Sequence, residues 1–281
     1  MTHTLRPISI LMRALLLLAL LCAPAWAAAT GSANLTADTM QYNPDTGEIH
    51  ARGDVHLFRP DGELFGDTGQ GNANGRDFEM RGNVRGTFTE DDLDIVCAYI
   101  CLSSEGTDPV RRTITASGDV VLTRDEDRIT ASYLSWSMDR EGYTARGDVL
   151  GNFRFYHIDA DEAARDGDDF SARGVRRYED HERNMTLQAN RVNGKLAEGR
   201  VAELIADGNV VMDSPDDTGK MTRVTGNRGV FSVARGTIVI SGNAIVTQDG
   251  RRLHAGSIVY HLDTGRIEAL ERPSLVIEMA E

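Results

Sequence analysis

The stretch Ile49-His50-Ala51-Arg52-Gly53-Asp54-Val55-His56-Leu57 alternates apolar or small residues with polar ones about a central glycine. Successive side chains on a strand point to opposite faces, so this stretch reads as a strand with one dry and one wet face. The phrase recurs as Phe78 to Val84, Ile114 to Leu122, Tyr143 to Val149, Leu204 to Met212 and Ile238 to Val246. Its central glycines fall at 53, 82, 118, 147, 208 and 242, at intervals of 29, 36, 29, 61 and 34 residues. An interval near 30 residues is the length of a repeated hairpin.

The turns between copies support that unit. Asn43-Pro44-Asp45-Thr46-Gly47 joins Leu35 to Tyr42 to the opening phrase, with proline fixing φ and glycine supplying a positive φ. The layout returns in Ile129 to Val149 and in Leu253 to Ile277, where Glu271, Arg272 and Pro273 replace the glycine triplet in a capping unit. The interval of 61 spans two periods. It holds the charged segment Asp159 to Arg183, expected to be an irregular insertion or long loop, with Ala172-Arg173-Gly174-Val175 as a degraded copy. With no linker dividing it, residues 28–281 are expected to form one continuous repeat domain.

Counted from each glycine, the even offsets are apolar or small in every copy, while the odd offsets carry charged and polar residues. Ile205, Val211, Val239 and Ile245 break the outer pattern late in the chain. Stacked hairpins must bury their dry face. A sheet folded over itself at the glycines does this, giving an elongated all-β sandwich with an apolar interior along its length. Ile49, Val55, Leu57, Val84, Val120, Leu122, Val149, Val210 and Val246 are the candidate lining. Periodicity alone leaves a filled core and an open trough as alternatives.

Composition sets the address and excludes several classes. Arg6 and Arg13, the apolar run Ala14 to Ala23 and Ala25-Trp26-Ala27 form a secretory leader expected over residues 1–27. Cys22 follows Leu21 where a lipoprotein signal needs a small residue. Losing the leader removes two arginines and no acids, taking the formal charge from −13 to −15. So acidic a chain is poorly suited to nucleic acid or an anionic bilayer, and an amphiphile would be held by its apolar part. In an unbroken strand Cys97 and Cys101 would share a face about 13 Å apart, beyond the ~6 Å a disulfide spans.

The repeated Gly-Asn/Asp-Val/Ala phrase, the element Ala37-Asp38-Thr39-Met40-Gln41-Tyr42, the leader and the closing Gly265-Arg266-Ile267-Glu268-Ala269 together resemble the OstA-like/LptA family of periplasmic lipopolysaccharide transport proteins. The resemblance runs from Leu35 to Ile277. It implies a β-jelly roll of the β-taco type whose apolar groove receives lipid A acyl chains. It also implies edge-to-edge strand addition to inner-membrane LptC-like and outer-membrane LptD-like partners or to further copies. The chain departs from the family in the charged segment and in its acidic end, which leaves an LptC-like component as an alternative. A structural β-solenoid with a filled core and no ligand is the alternative from another class.

There is no Gly-x-Ser-x-Gly, His-Glu-x-x-His or Cys-x-x-Cys. Gly69 to Gly75 lacks dinucleotide-loop spacing, and the acids between Asp159 and Asp169 miss the calcium-loop spacing. The expectation is a non-enzyme without metal or cofactor.

Overall fold

The computed structural model describes residues 33–73, 77–89, 92–105, 111–137, 142–215, 219–262 and 264–277. The leader expected over residues 1–27 lies outside them. The described residues form eighteen strands: β1 (Asn34–Thr36), β2 (Thr39–Tyr42), β3 (Glu48–Arg59), β4 (Gly62–Asn72), β5 (Phe78–Phe88), β6 (Leu93–Glu105), β7 (Arg111–Arg124), β8 (Asp127–Ser137), β9 (Gly142–Asn152), β10 (Tyr156–Asp166), β11 (Asp169–Asp180), β12 (Met185–Ala197), β13 (Arg200–Pro215), β14 (Met221–Ser232), β15 (Thr237–Gln248), β16 (Arg251–His261), β17 (Ile267–Leu270) and β18 (Ser274–Ile277). From β3 to β16 each strand pairs antiparallel with the next. At one end β1 and β2 both pair with β3, and at the other β17 and β18 both pair with β16. The result is an open antiparallel meander, the β-jelly-roll architecture that the family resemblance implies.

Every phrase strand carries a β-bulge at its glycine. Arg52 pairs with Thr68 and Val55 with Gly66, so Gly53 and Asp54 together oppose Asp67 alone. Both bulge residues take a positive φ, +75° and +42°. The same pair of conformations recurs at Gly82-Asn83, Gly118-Asp119, Gly147-Asp148, Gly208-Asn209 and Gly242-Asn243. Glycine reaches this region without a Cβ penalty, and Asp and Asn tolerate it best among the rest. That requirement is the physical content of the Gly-Asp/Asn dipeptide. In the last copy Glu271 and Arg272 stand in its place, at +63° and +62°.

The bulges align into one seam across the sheet, and the neighbouring strands answer it by switching the phase of their alternation. In β6 the buried residues are Leu93, Ile95 and Cys97, then Ile100 and Leu102; in β8 they are Ile129 and Ala131, then Leu134 and Trp136. The seam is also where the sheet folds. A Cβ on Gly66 would lie 2.6 Å from Met80 Cγ, and one on Gly226 would lie 2.5 Å from Ile240 Cγ2. Met80 and Ile240 pair on the far side of the seam, with Gly69 and Gly229, so the two sheet halves close on each other.

Two expectations are corrected here. The segment 159–183 is no irregular insertion: β10 and β11 are a regular hairpin within the sheet, and Gly174 (φ +59°) sits at its own bulge. Its inward residues are the small or apolar Ala160, Ala163, Ala172 and Val175, while Asp159 and Asp161 pair with Arg176 on the outside. Dense outward charge masked the alternation. Cys97 and Cys101 do not share a face, because the phase switch at Ala98 lies between them. Cys97 is buried and Cys101 half-buried, and both are free thiols.

Candidate functional site

The inner surface is built from rows of directly paired residues. On one side of the seam a row runs Leu35, Leu57, Leu64, Gly86, Ile95, Leu122 and Ile129. It continues through Gly151, Ile158, Tyr178, Leu187, Met212, Val224, Val246, Leu253 and Leu275. No charged side chain interrupts it from first strand to last. Of the candidate lining residues, Val55, Leu57, Val84, Val120, Leu122, Val149, Val210 and Val246 all lie on this half and are buried, Val55 and Val84 completely. Ile49 lies on the opposite half and is half-buried. The sequence reading therefore brought together one wall and a single residue of the other.

The even offsets placed Ile49, Phe78, Ile114, Tyr143, Leu204 and Ile238 on the inner face; with residues of the intervening strands, which sequence reasoning missed, they form the row of the opposite wall: Ile49, Gly71, Phe78, Leu102, Ile114, Trp136, Tyr143, Arg165, Phe170, Gly194, Leu204, Phe231, Ile238 and Tyr260. Arg165 is its one charged member. It lies in the segment read as an insertion, two residues past the buried Ala163 on the same face of β10. Its Nε donates to the Gly167 carbonyl oxygen at 2.7 Å.

Arg165 marks a waist. The packed interior divides there, one part running from Ala51 to Ala163 and the other from Ile158 to Tyr260, with Phe153 packed against both. A cavity of about 100 Å³ lies between the walls, lined by Leu93, Leu122, Ile129, Trp136, Tyr143 and Phe153, with Arg124, Asp127 and Arg165 at its polar side. It shares Asp127, Phe153 and Arg165 with an open cleft of about 680 Å³, reached past Arg154, Phe155 and Tyr156. Away from the waist the interior is tighter: a cavity between Met185, Met212, Phe231 and Ile240 measures about 10 Å³.

The electrostatics suit an amphiphile's polar end. Burial pushes the Tyr156 phenol up to about 12 and the Tyr143 phenol higher still, against the opposing pull of the Arg165 cation. Both phenols stay neutral donors, and the fixed positive charge sits at the boundary between apolar wall and solvent. Asp127 lines both spaces and Asp125 and Glu126 line the open cleft, so charges of both signs stand at that boundary.

The two edges of the sheet expose apolar residues. Met40 and Tyr42 project from β2, and Leu270, Leu275, Val276 and Ile277 from β17 and β18. Edge strands carry unpaired backbone groups that template a further strand.

Residues 104–266 match the family described as LptA/(LptD N-terminal domain) LPS transport protein. One similar solved structure is LptH, the LptA homologous periplasmic component of the conserved lipopolysaccharide transport device from Pseudomonas aeruginosa. It is 15% identical with a TM-score of 0.29, over 54% of this chain and 95% of its own. No curated protein sequence matches.

Proposed function

Because the chain belongs to the LptA/(LptD N-terminal domain) family of lipopolysaccharide transport proteins, we propose that it is a periplasmic carrier holding the lipid A acyl chains of lipopolysaccharide between its two sheet halves. The acyl chains lie against Ile49, Val55, Leu57, Val84, Val120, Leu122, Val149, Val210 and Val246, and an anionic headgroup group meets Arg165 at the waist. One observation carries this reading: an uninterrupted apolar row from the first strand to the last, faced by a row whose one charged member stands beside a cavity. At about 0.8 kcal/mol per buried methylene, a few chains suffice for tight binding without broad charge attraction. That fits a chain of net charge −13.

The exposed edge strands then serve as docking surfaces by strand addition, one end toward an LptC-like inner-membrane partner and the other toward an LptD-like outer-membrane partner or a second copy. No step of this role involves catalysis. A filled, ligand-free interior is the second reading, favoured by the close approach of Met80 to Gly66. Photo-crosslinking amino acids at Val55 and Val120 discriminate the two. Capture of lipopolysaccharide during export supports the carrier; absence of capture at both positions, in a folded protein, rejects it.

A further inference from the structure

On the outer face, one row beside the seam is unlike the rest of this acidic molecule. Arg52 pairs with Thr68, Thr68 with Arg81, and Arg81 with Tyr99. Tyr99 then pairs with Ser117, Ser117 with Tyr133, and Tyr133 with Arg146. Further along, Glu162 pairs between Arg146 and Arg173, and the directly paired Arg173 and Arg191 are flanked by Glu162 and Asp207, so the uncompensated cations lie at the Arg52 end of the row.

The middle of this row has the form of a slot. The Arg81 guanidinium lies over the Tyr99 ring at 4.5 Å and that of Arg146 over the Tyr133 ring at 5.8 Å. The short Ser117 pairs between the two tyrosines. At ~4.8 Å per strand the backbones that carry the two rings stand about 9.6 Å apart, a spacing that admits one saturated ring between the side chains. The electron-rich faces of aromatic rings attract the weakly positive C–H groups such a ring presents. Beside the slot, a cleft of about 290 Å³ opens between Arg52 and Arg81, lined also by His50, Thr68, Gln70 and Glu79. Glu79 accepts from Arg81 and Gln70, which holds the donors at the cleft wall.

We propose that this outer surface binds an acidic oligosaccharide. An anionic substituent sits in the cleft between Arg52 and Arg81, and a neighbouring sugar ring stacks over Ser117 between Tyr99 and Tyr133. Charge complementarity selects an anion, since arginine forks match carboxylate and phosphate. The flanking rings select a sugar over a bare ion. The site lies on the opposite face of the sheet from the apolar interior and is independent of what fills it.

Isothermal titration of the folded protein with hexagalacturonate and with fully deacylated lipopolysaccharide sugar, against neutral maltohexaose, tests the site. Binding of either acidic sugar but not of maltohexaose is expected, weakened by salt. Which of the two binds tells carboxylate from phosphate. The Arg52→Gln/Arg81→Gln double variant should lose about tenfold or more in affinity, the worth of one charge-assisted contact. Ser117→Leu, which fills the slot while keeping both rings, should lose binding with the circular dichroism spectrum unchanged. Arg228→Gln, farther along the row, should stay within about twofold, as for a distant exposed charge. No binding of either acidic sugar, equal binding of maltohexaose, or equal losses in Arg228→Gln would overturn the proposal.

Discussion

Replacing Gly118 by alanine probes the seam at its least forgiving point. Gly118 has φ +79°, a region that costs an L-residue about 1–2 kcal/mol. An added Cβ would also lie 2.7 Å from the Ala98 Cβ, an atom that no rotamer change can move. Overpacking of this kind costs about 1–3 kcal/mol, so Gly118→Ala should lose about 2–5 kcal/mol in all. Gly167 is the control: its φ is +60° and nothing lies within 4 Å of its added Cβ, so Gly167→Ala should lose only the backbone part. Ala98→Gly, itself costing about 0.5–1 kcal/mol in a strand, should recover the overlap part when combined with Gly118→Ala. Urea unfolding followed by circular dichroism, with the slope checked for constancy, measures all four proteins. Equal losses at Gly118 and Gly167, or no recovery in the double variant, would refute a sterically defined seam.

Four further outcomes are expected. Val120→Asp buries an unpaired carboxylate at a site 1% exposed and should cost about 3 kcal/mol or more; Arg165→Gln should change the urea midpoint little yet reduce lipopolysaccharide crosslinking from Leu122. Val276→Lys on the β18 edge should weaken association with the next component, read by site-specific crosslinking, at unchanged thermal midpoint. Burial pushes the Cys97 thiol up to about 11 from an ordinary value of 9. The folded state thus holds this proton more tightly than the unfolded one, so its contribution is full below pH 9 and is lost as pH rises through 11. Cys97→Ala should flatten the alkaline fall in stability over that window.

The phrase strands were legible because a bulge built from two residues preserves their even-offset count: Ala51, Val55 and Leu57 stay in phase across Gly53 and Asp54. Their neighbours were harder, since a single residue opposite the bulge reverses the parity of everything after it. The signal was present in Leu93, Ile95 and Cys97 followed by Ile100 and Leu102, but it reads as two unrelated runs until the pairing is known. The same reversal separated Cys97 from Cys101. In β10 and β11 the inward residues are mostly alanines among charges, so a hydrophobicity pattern fades though the geometry is intact. Arg165 was hidden for that reason, and with it the waist. In both walls the strands without the phrase supply every second member of a row, and their inward residues are fixed by register, a property of strand pairs.

The broken end strands have a bearing on assembly. β1 and β2 part at Ala37 and Asp38, and β17 and β18 part at Glu271 to Pro273, each at the seam. A plain edge lets an incoming strand slide by two residues at little cost. Here the edge carries an index mark, and a newcomer finds its full complement of hydrogen bonds only when its own break aligns. A train of such molecules would thus keep its frame from one member to the next, as a toothed rail keeps a gear.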